Sequence, residues 1–434
     1  MDCVGYVQPK RHNSAHILSF SSDYLVKIFS FLSSASLARC CLVCSSWNKV
    51  ISNSPLWMNH CFESKKHWLQ LSSKTSATRK SNILEDQIPE LADWKACYVQ
   101  VQRKTLLMFG SMLVKERRGH SKRVECCRVK MDTIVTGSSD GVVHAWSSTT
   151  LECLATYIVS NKGRVVDLEF DENKILAISA TEIYVWNREK GSLLRHIHGH
   201  NQSLHSMFYA DPEVVVGCSD GTIRVFDIYS GQCDRILRQH ADRVTCIVVD
   251  VSSSVLMSGS ADGTVKLCDY ITSQKICCLL PSSPPQEVHC LHLLSCQSIL
   301  MGCTSRGCVY AWDVRKHKLL WTVRVGASSV TSLHSPSYDA STLVTGDING
   351  VITILDTSSG AVVRRLAVAH TKQDSLNKSK RSSVAAKLAR ADISSSSKGI
   401  PSNIRSPILC LKAGMTRIVT SHSDGMIRIW QLSL

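Results

Sequence analysis

The sequence predicts a small all-α module followed by an all-β, seven-bladed propeller, and three observations carry that reading. Short alternating runs return about every forty residues from near residue 119 to residue 434. Residues 20–57 instead place their apolar side chains at helical intervals. Between these parts, and once inside the last repeat, the composition turns polar and charged, as linkers and loops do.

The repeat is visible in TGSSDGVVHAW (136–146), VGCSDGTIRVFD (216–227), SGSADGTVKLCD (258–269), MGCTSRGCVYAWD (301–313), TGDINGVITILD (345–356) and TSHSDGMIRIW (420–430). A weaker copy, AISATEIYVW (177–186), lacks the turn dipeptide. The last aromatic or apolar position of each unit falls at Trp146, Trp186, Phe226, Cys268, Trp312, Leu355 and Trp430, in steps of 40, 40, 42, 44, 43 and 75. The final step is one period plus an insertion of roughly 32 residues, so there are seven units. In each unit a β-rich run ends at Ser/Asp-Gly, whose glycine allows a tight hairpin, and an alternating run follows as a strand with two different faces.

Gly-His or a lone His precedes several units: Gly119-His120, Gly199-His200 and His240. The period, the GH…D…W(D) pattern and the strand count resemble the WD-repeat β-propeller family over residues 105–434. The resemblance implies an internal hydrogen-bond relay. His120, Asp140 and Trp146 fit it in the first unit, with Thr136 or Ser138 as the hydroxyl. In the third, His200 and Asp220 stand with Phe226; in the fourth, His240 and Asp262 stand with Cys268. The fifth has Arg306 at the turn, the sixth Asn349, and the second neither His nor turn Asp. These residues are expected to be structural, repeated blade by blade, and not a catalytic relay or metal ligands. After Trp430 only QLSL remains, so TLLMFGSMLVKERR (105–118) is expected to supply the seventh unit's fourth strand and close the ring. The stretch 371–405, rich in Ser and Lys/Arg, is expected to be a mobile basic loop in that blade.

Ahead of the repeats runs FSSDYLVKIFSFLSSASLARCCLVCSSWNKVISNSPLW (20–57). Ser22 or Asp23 can cap a helix bearing Leu25, Ile28, Phe29 and Leu32, and Ser33–Ser36 end it and cap the next. Leu37, Cys40, Cys41, Cys44 and Trp47 then recur at i, i+3, i+4, i+7 and i+10, one helical face, and Pro55-Leu56-Trp57 closes the module. Cys41 and Cys44 have the CxxC spacing, but no second pair or His cluster stands near them beyond His60-Cys61, so packing is expected in place of zinc or redox chemistry. The pattern resembles the F-box, the helical motif that docks on the Skp-type adaptor of SCF ubiquitin ligases, through Ile28 to Leu32, Leu37, Val43-Cys44, Trp47 and Pro55 to Trp57. Where that family opens with Leu-Pro, this chain has Phe20-Ser21. Leu91, Trp94, Tyr98 and Val101 mark a linker helix of the kind such proteins place before a propeller. The expected division is a tail (1–17), F-box (18–60), linker (61–104) and propeller (105–434).

Bulk properties narrow the function classes. No run of about 18 apolar residues occurs, so no membrane partner is expected. The start, MDCVGYVQPKRHNSAH, lacks the apolar core of a secretory signal, so a cytoplasmic and/or nuclear location is expected. The 20 cysteines are then expected to be free thiols used as small hydrophobes, as at Cys246, Cys268, Cys290 and Cys410. The net charge of +15 is concentrated outside the repeats: residues 1–110 hold 13 Lys/Arg against 7 Asp/Glu, and residues 371–405 hold 8 against 2. A nucleic-acid partner is therefore not expected, since a binder concentrates its cations on the folded surface.

The resemblances imply a substrate receptor of an SCF-type ubiquitin ligase, itself non-catalytic and without cofactor or metal. The F-box would bind the Skp-type adaptor, and through it the cullin scaffold, by Leu25, Ile28, Leu32, Leu37, Trp47 and Trp57. The propeller would bind the target protein. Lys122, Arg123, Arg164 and Arg243 precede the first strand of three units, where guanidinium groups would suit an acidic or phosphorylated segment. The alternative is a WD-repeat interaction scaffold without ligase function.

Overall fold

Helix α1 (Ser22–Phe29) turns Leu25 and Phe29, one turn apart, onto a buried face. Ser21, not Ser22 or Asp23, is its N-cap and makes no side-chain cap bond; Asp23 sits in the first turn, where the helix dipole favours an acid. Helix α2 (Ser34–Cys40) is capped as expected, Ser33 accepting from the Ser36 amide at 3.3 Å. The computed structural model describes residues 21–74, 93–110, 112–130, 132–160, 163–198, 202–280, 284–336, 339–367, 385–387, 405–414 and 417–432.

The single helical face expected from Leu37 to Trp47 is corrected. The amides of Leu42 and Val43 bond three residues back, to Arg39 and Cys40, tightening the end of α2 into a turn. Cys44 is then extended as the N-cap of α3 (Ser45–Ser52). The break turns Leu42 and Val43 outward while Cys41 stays buried. Pro55 does not end the module either: its carbonyl accepts from the Asn59 amide, and the 19-residue helix α4 (Leu56–Lys74) begins just after it. Leu25, Phe29, Leu37, Cys41, Ile51, Leu56 and Trp57 form one core, against which Trp94 and Tyr98 of α5 (Trp94–Phe109) pack. Phe29 and Trp47 meet edge to face at 5.1 Å, and the Tyr98 hydroxyl reaches Ser34 Oγ at 2.8 Å. Leu91 lies outside the described residues.

Contacts divide the chain into two units, Met1–Thr105 and Leu106–Leu434. The second unit is seven antiparallel sheets. Six of them take four consecutive strands, over 124–158, 165–197, 204–238, 244–279, 288–324 and 330–367. Their second strands are buried almost throughout, as in Thr133–Ser138 and Glu213–Cys218. Every first strand carries a β-bulge after its first residue, between Val124 and Cys126, Val165 and Asp167, Val244 and Cys246, and so on round the ring. The bulges leave one side chain per blade, Glu125 in blade 1, unpaired at the strand's start.

Blade 7 is assembled from both ends of the unit. Ile408–Ala413, Arg417–His422 and Met426–Leu432 are joined by Met112–Arg118, which pairs antiparallel with the last strand from Met112↔Leu432 to Arg118↔Met426. Arg428, almost fully buried, bonds Glu116 across this seam at 2.6 Å. The basic insertion expected at 371–405 lies outside the described residues except for Arg405 and Ala385–Lys387, which pairs on the outer side of Met112–Arg118.

Deleting the chain through Arg118 removes the closing strand and exposes the edge at Met426–Leu432. Seven residue pairs and the buried Arg428–Glu116 ion pair are lost together, against a typical net domain stability of only about 5–15 kcal/mol. A chain beginning at Leu106 is expected to keep a cooperative thermal transition, and one beginning at Gly119 to lose it; equal melting curves would contradict the seam's role.

Candidate functional site

Two surfaces combine accessibility with chemistry. The first lies on the helical unit. Leu25, Leu37 and Trp57 are 4%, 0% and 3% exposed, so these three predicted docking residues build the core and do not face a partner. Leu32 and Trp47 are half-buried against the same core, and Ile28 is accessible. Among the described residues the large apolar side chains that remain open are Tyr24, Ile28, Phe31, Leu42 and Val43, with Phe62 of α4 less so, and Phe31 and Leu42 are more than four-fifths exposed. All but Phe62 come from α1 and from the turns after α1 and α2. Sequence periodicity missed Phe31, Leu42 and Val43 because it counted them within continuous helices.

The second surface is the rim where the first strands of the blades begin. Arg123 and Arg164, from blades 1 and 2, converge on one carboxylate: their Nε atoms lie 3.5 and 3.2 Å from Glu125 Oε1. Arg243 donates to Glu287 Oε1 at 2.6 Å, and Lys122 is exposed. The structure therefore brings Arg123 and Arg164 together and sets Arg243 against its own counter-charge. Glu125, invisible to the repeat pattern, occupies the bulge. His205 stands near Arg164 and Arg243; burial, then those two cations, lower its pKa.

The expected relays are structural and largely enclosed. In blade 1, Trp146 Nε1 donates to Thr136 Oγ1 at 2.9 Å, the same hydroxyl lies 2.9 Å from His120 Nε2, and His120 Nδ1 faces Asp140 at 3.4 Å. Burial, then the neighbouring His144, lowers the His120 pKa to about 4, so the ring is neutral at pH 7. Blade 4 keeps His240 between Ser258 Oγ (2.8 Å) and Asp262 (3.1 Å). There Cys268, pushed up to about 11 by burial, stays a thiol and bonds the Leu256 carbonyl. His200 lies outside the described residues.

Two relays are carried by residues the sequence pattern overlooked. In blade 7, His422, at the end of the second strand, places Nε2 2.8 Å from Thr420 Oγ1, which also accepts from Trp430 Nε1 at 3.1 Å. In blade 6, Asn349 occupies the turn, and Asp347 two residues earlier accepts from the Val351 amide and the Ser328 hydroxyl. Both stand where blade 1 has Ser138, a spacing signal readable only once the register is known.

Comparison with known proteins agrees with both units. Residues 22–63 match the F-box-like family, and residues 111–147, 191–227 and 231–269 match the WD domain, G-beta repeat. An F-box/WD-40 repeat-containing protein of Arabidopsis thaliana is 29% identical over 98% of this chain and 96% of its own length. The WD repeat-containing protein pop1 of Schizosaccharomyces pombe is 32% identical over 54% of this chain and 25% of its own. Among solved structures, the computationally designed Ika8 protein superposes with a TM-score of 0.52 at 20% identity, covering 72% of this chain and 97% of that one, which shows the fold alone.

Thr136→Val leaves His120 Nε2 and Trp146 Nε1 without their shared partner, at about 1–3 kcal/mol for each buried group orphaned. Chemical denaturation is expected to show that loss, and an unchanged midpoint would contradict the relay. The buried imidazoles also make stability fall with acid. The pKa of His422 is lowered to about 3 by burial and then Arg428, and that of His120 to about 4, from 6.5. Below pH 6.5 the unfolded chain takes up protons that the folded ring refuses. Each of the two therefore costs up to about 1.4 kcal/mol per pH unit as pH falls toward 4. Melting temperatures at constant ionic strength should decline between pH 7 and 5; a flat profile would contradict this.

Proposed function

We propose that this chain, an F-box-like domain joined to a seven-bladed WD-repeat propeller, is the substrate-receptor subunit of an SCF-type ubiquitin ligase. The observation that carries the proposal is the open apolar set Tyr24, Ile28, Phe31, Leu42 and Val43 on the F-box-like helices. Apolar side chains of this size, left in water on so small a module, are stabilised by burial against a partner. A Skp-type adaptor is the partner whose docking the F-box resemblance implies, and the cullin scaffold would follow through it. The chain itself would be non-catalytic, acting by holding two proteins close. We place the role in the cytoplasm, the nucleus or both.

The propeller would hold the target at the rim. Arg123 and Arg164 share the single charge of Glu125, which leaves one positive charge uncompensated among the three. Both arginine side chains are more than half exposed, so an acidic or phosphorylated segment could be met without unfolding anything.

The test is capture of the purified adaptor by the full chain. Phe31→Asp with Leu42→Asp alters only exposed positions, so the fold is expected to survive; Leu25→Asp would not serve, because it would break the core. Loss of a central apolar contact costs about 2 kcal/mol or more, roughly 30-fold in affinity. Adaptor binding by the wild type and its loss in the folded double variant would support the receptor reading. No binding by either protein would favour a WD-repeat scaffold without ligase function.

A further inference from the structure

Blade 2 departs from the other six at the start of its third strand. Its hairpin has no glycine; Ala180 takes the left-handed conformation at φ 53°, and Glu182 begins the strand. The register puts Val142, Thr222, Thr264, Cys308, Val351 and Met426 at that position in the other blades. Glu182 alone is charged. Across the hairpin, His196 pairs with Tyr184, and His198 follows two residues on, directed to the same side of the strand.

These three side chains converge. Glu182 Oε2 lies 3.3 Å from His196 Nε2, and Glu182 Oε1 lies 3.3 Å from His198 Nδ1. Their three ligand atoms all fall within 4.8 Å of one another, the one such His/Cys/Asp/Glu grouping among the described residues. A tetrahedral ion with bonds of about 2.0–2.1 Å keeps its ligand atoms about 3.3–3.4 Å apart. Each imidazole nitrogen already lies at that distance from a carboxylate oxygen of Glu182, and the 4.8 Å limit on the whole set leaves only small side-chain adjustments to be made.

Two further observations favour an ion over a solvated ion pair. His196 Nε2 is shut off from water and makes no hydrogen bond, although it points at the carboxylate. The set is also supported from behind: the Tyr184 hydroxyl donates to Glu182 Oε2, and the buried Tyr184 ring stacks on His196 at 4.2 Å. A hydrogen-bonded carboxylate and a ring fixed by stacking are what an outer shell supplies to a metal.

We propose that Glu182, His196 and His198 form a binding site for a divalent transition-metal ion, Zn²⁺ in the cell. Two imidazoles and one carboxylate suit Zn²⁺ and leave its fourth position to water or to a side chain of a bound protein. His198, 61% exposed at its side chain, keeps that position accessible. The site is independent of the receptor role and of the relays, which lie in other blades.

Co²⁺ is the probe, because the chain's 20 cysteines would also take up Zn²⁺ and the two kinds of site must be told apart. Chelator-treated full-length protein should develop visible d–d absorption from one equivalent of Co²⁺ without the thiolate charge-transfer band that cysteine ligation gives. His198→Ala, at an exposed position, should abolish that absorption while leaving the melting temperature of the metal-free protein unchanged. Tyr184→Phe should weaken Co²⁺ binding about tenfold or more, by the outer-shell effect. Absence of the d–d band in the wild type, its persistence in His198→Ala, or a band accompanied by thiolate charge transfer would each overturn the assignment.

Discussion

The propeller depends on one pairing made across the full length of its chain. Met112–Arg118 lies beside Met426–Leu432, and until it does, blade 7 has three strands and an open edge. Unpaired backbone at an edge invites association with other chains, which closure prevents. The seam is held by seven residue pairs and by Arg428, whose guanidinium is buried between Glu116 and Asp424. An arginine so placed is costly to bury and tolerable only with both carboxylates present. Every other blade is local in sequence, so the seam is the longest-range contact the fold must make and the one on which the cooperativity of the ring rests.

Within the ring, what matters to each blade is that its buried polar groups be answered, and the identity of the answering residue is free to change. The Trp430 indole of blade 7 needs an acceptor, Thr420 supplies it, and the Thr420 hydroxyl is in turn met by His422 from within its own hairpin. Blade 6 meets its turn amide with Asp347 in place of a residue at the turn itself. Blade 4 replaces the indole by a thiol, which finds its acceptor in the Leu256 carbonyl and not in a hydroxyl. This is the physical basis on which units that look degenerate in sequence still fold as blades: the cost lies in an unsatisfied buried group, and any side chain that reaches it removes that cost.

Period and alternation made the sheet architecture legible, including the N-terminal closing strand, because seven copies average out the departures of any one. The helical unit was legible in its core and not in its surface. Leu25, Leu37 and Trp57 fall on apolar intervals, and those intervals report burial within the module, whereas docking requires side chains left over after the module has packed. The turn at 41–43 breaks the phase between α2 and α3, so Leu42 and Val43 were assigned to a helix that ends before them. At the rim, the arginines could be read from their place before each first strand. Their partners could not, since Glu125 enters through a β-bulge that shifts the register by one residue.

The same contrast shows where recognition has room to reside. A side chain that belongs to the repeat is committed to the ring: His120 and Trp146 both bond the Thr136 hydroxyl and are buried with it. Chemistry left available to a ligand must come from positions that vary from blade to blade. Arg123 and Arg164 gather on Glu125 between blades 1 and 2, while blade 3 has Ser203 and blade 5 Glu287 at the corresponding position. Blade 2, which gave up its turn glycine and aspartate, carries Glu182 and two imidazoles on its outer hairpin. Among the described residues its hairpin carries no relay, and these side chains are the ones proposed above to hold a metal ion. A fold that satisfies its own polar groups blade by blade leaves most room for a further site in its least regular unit.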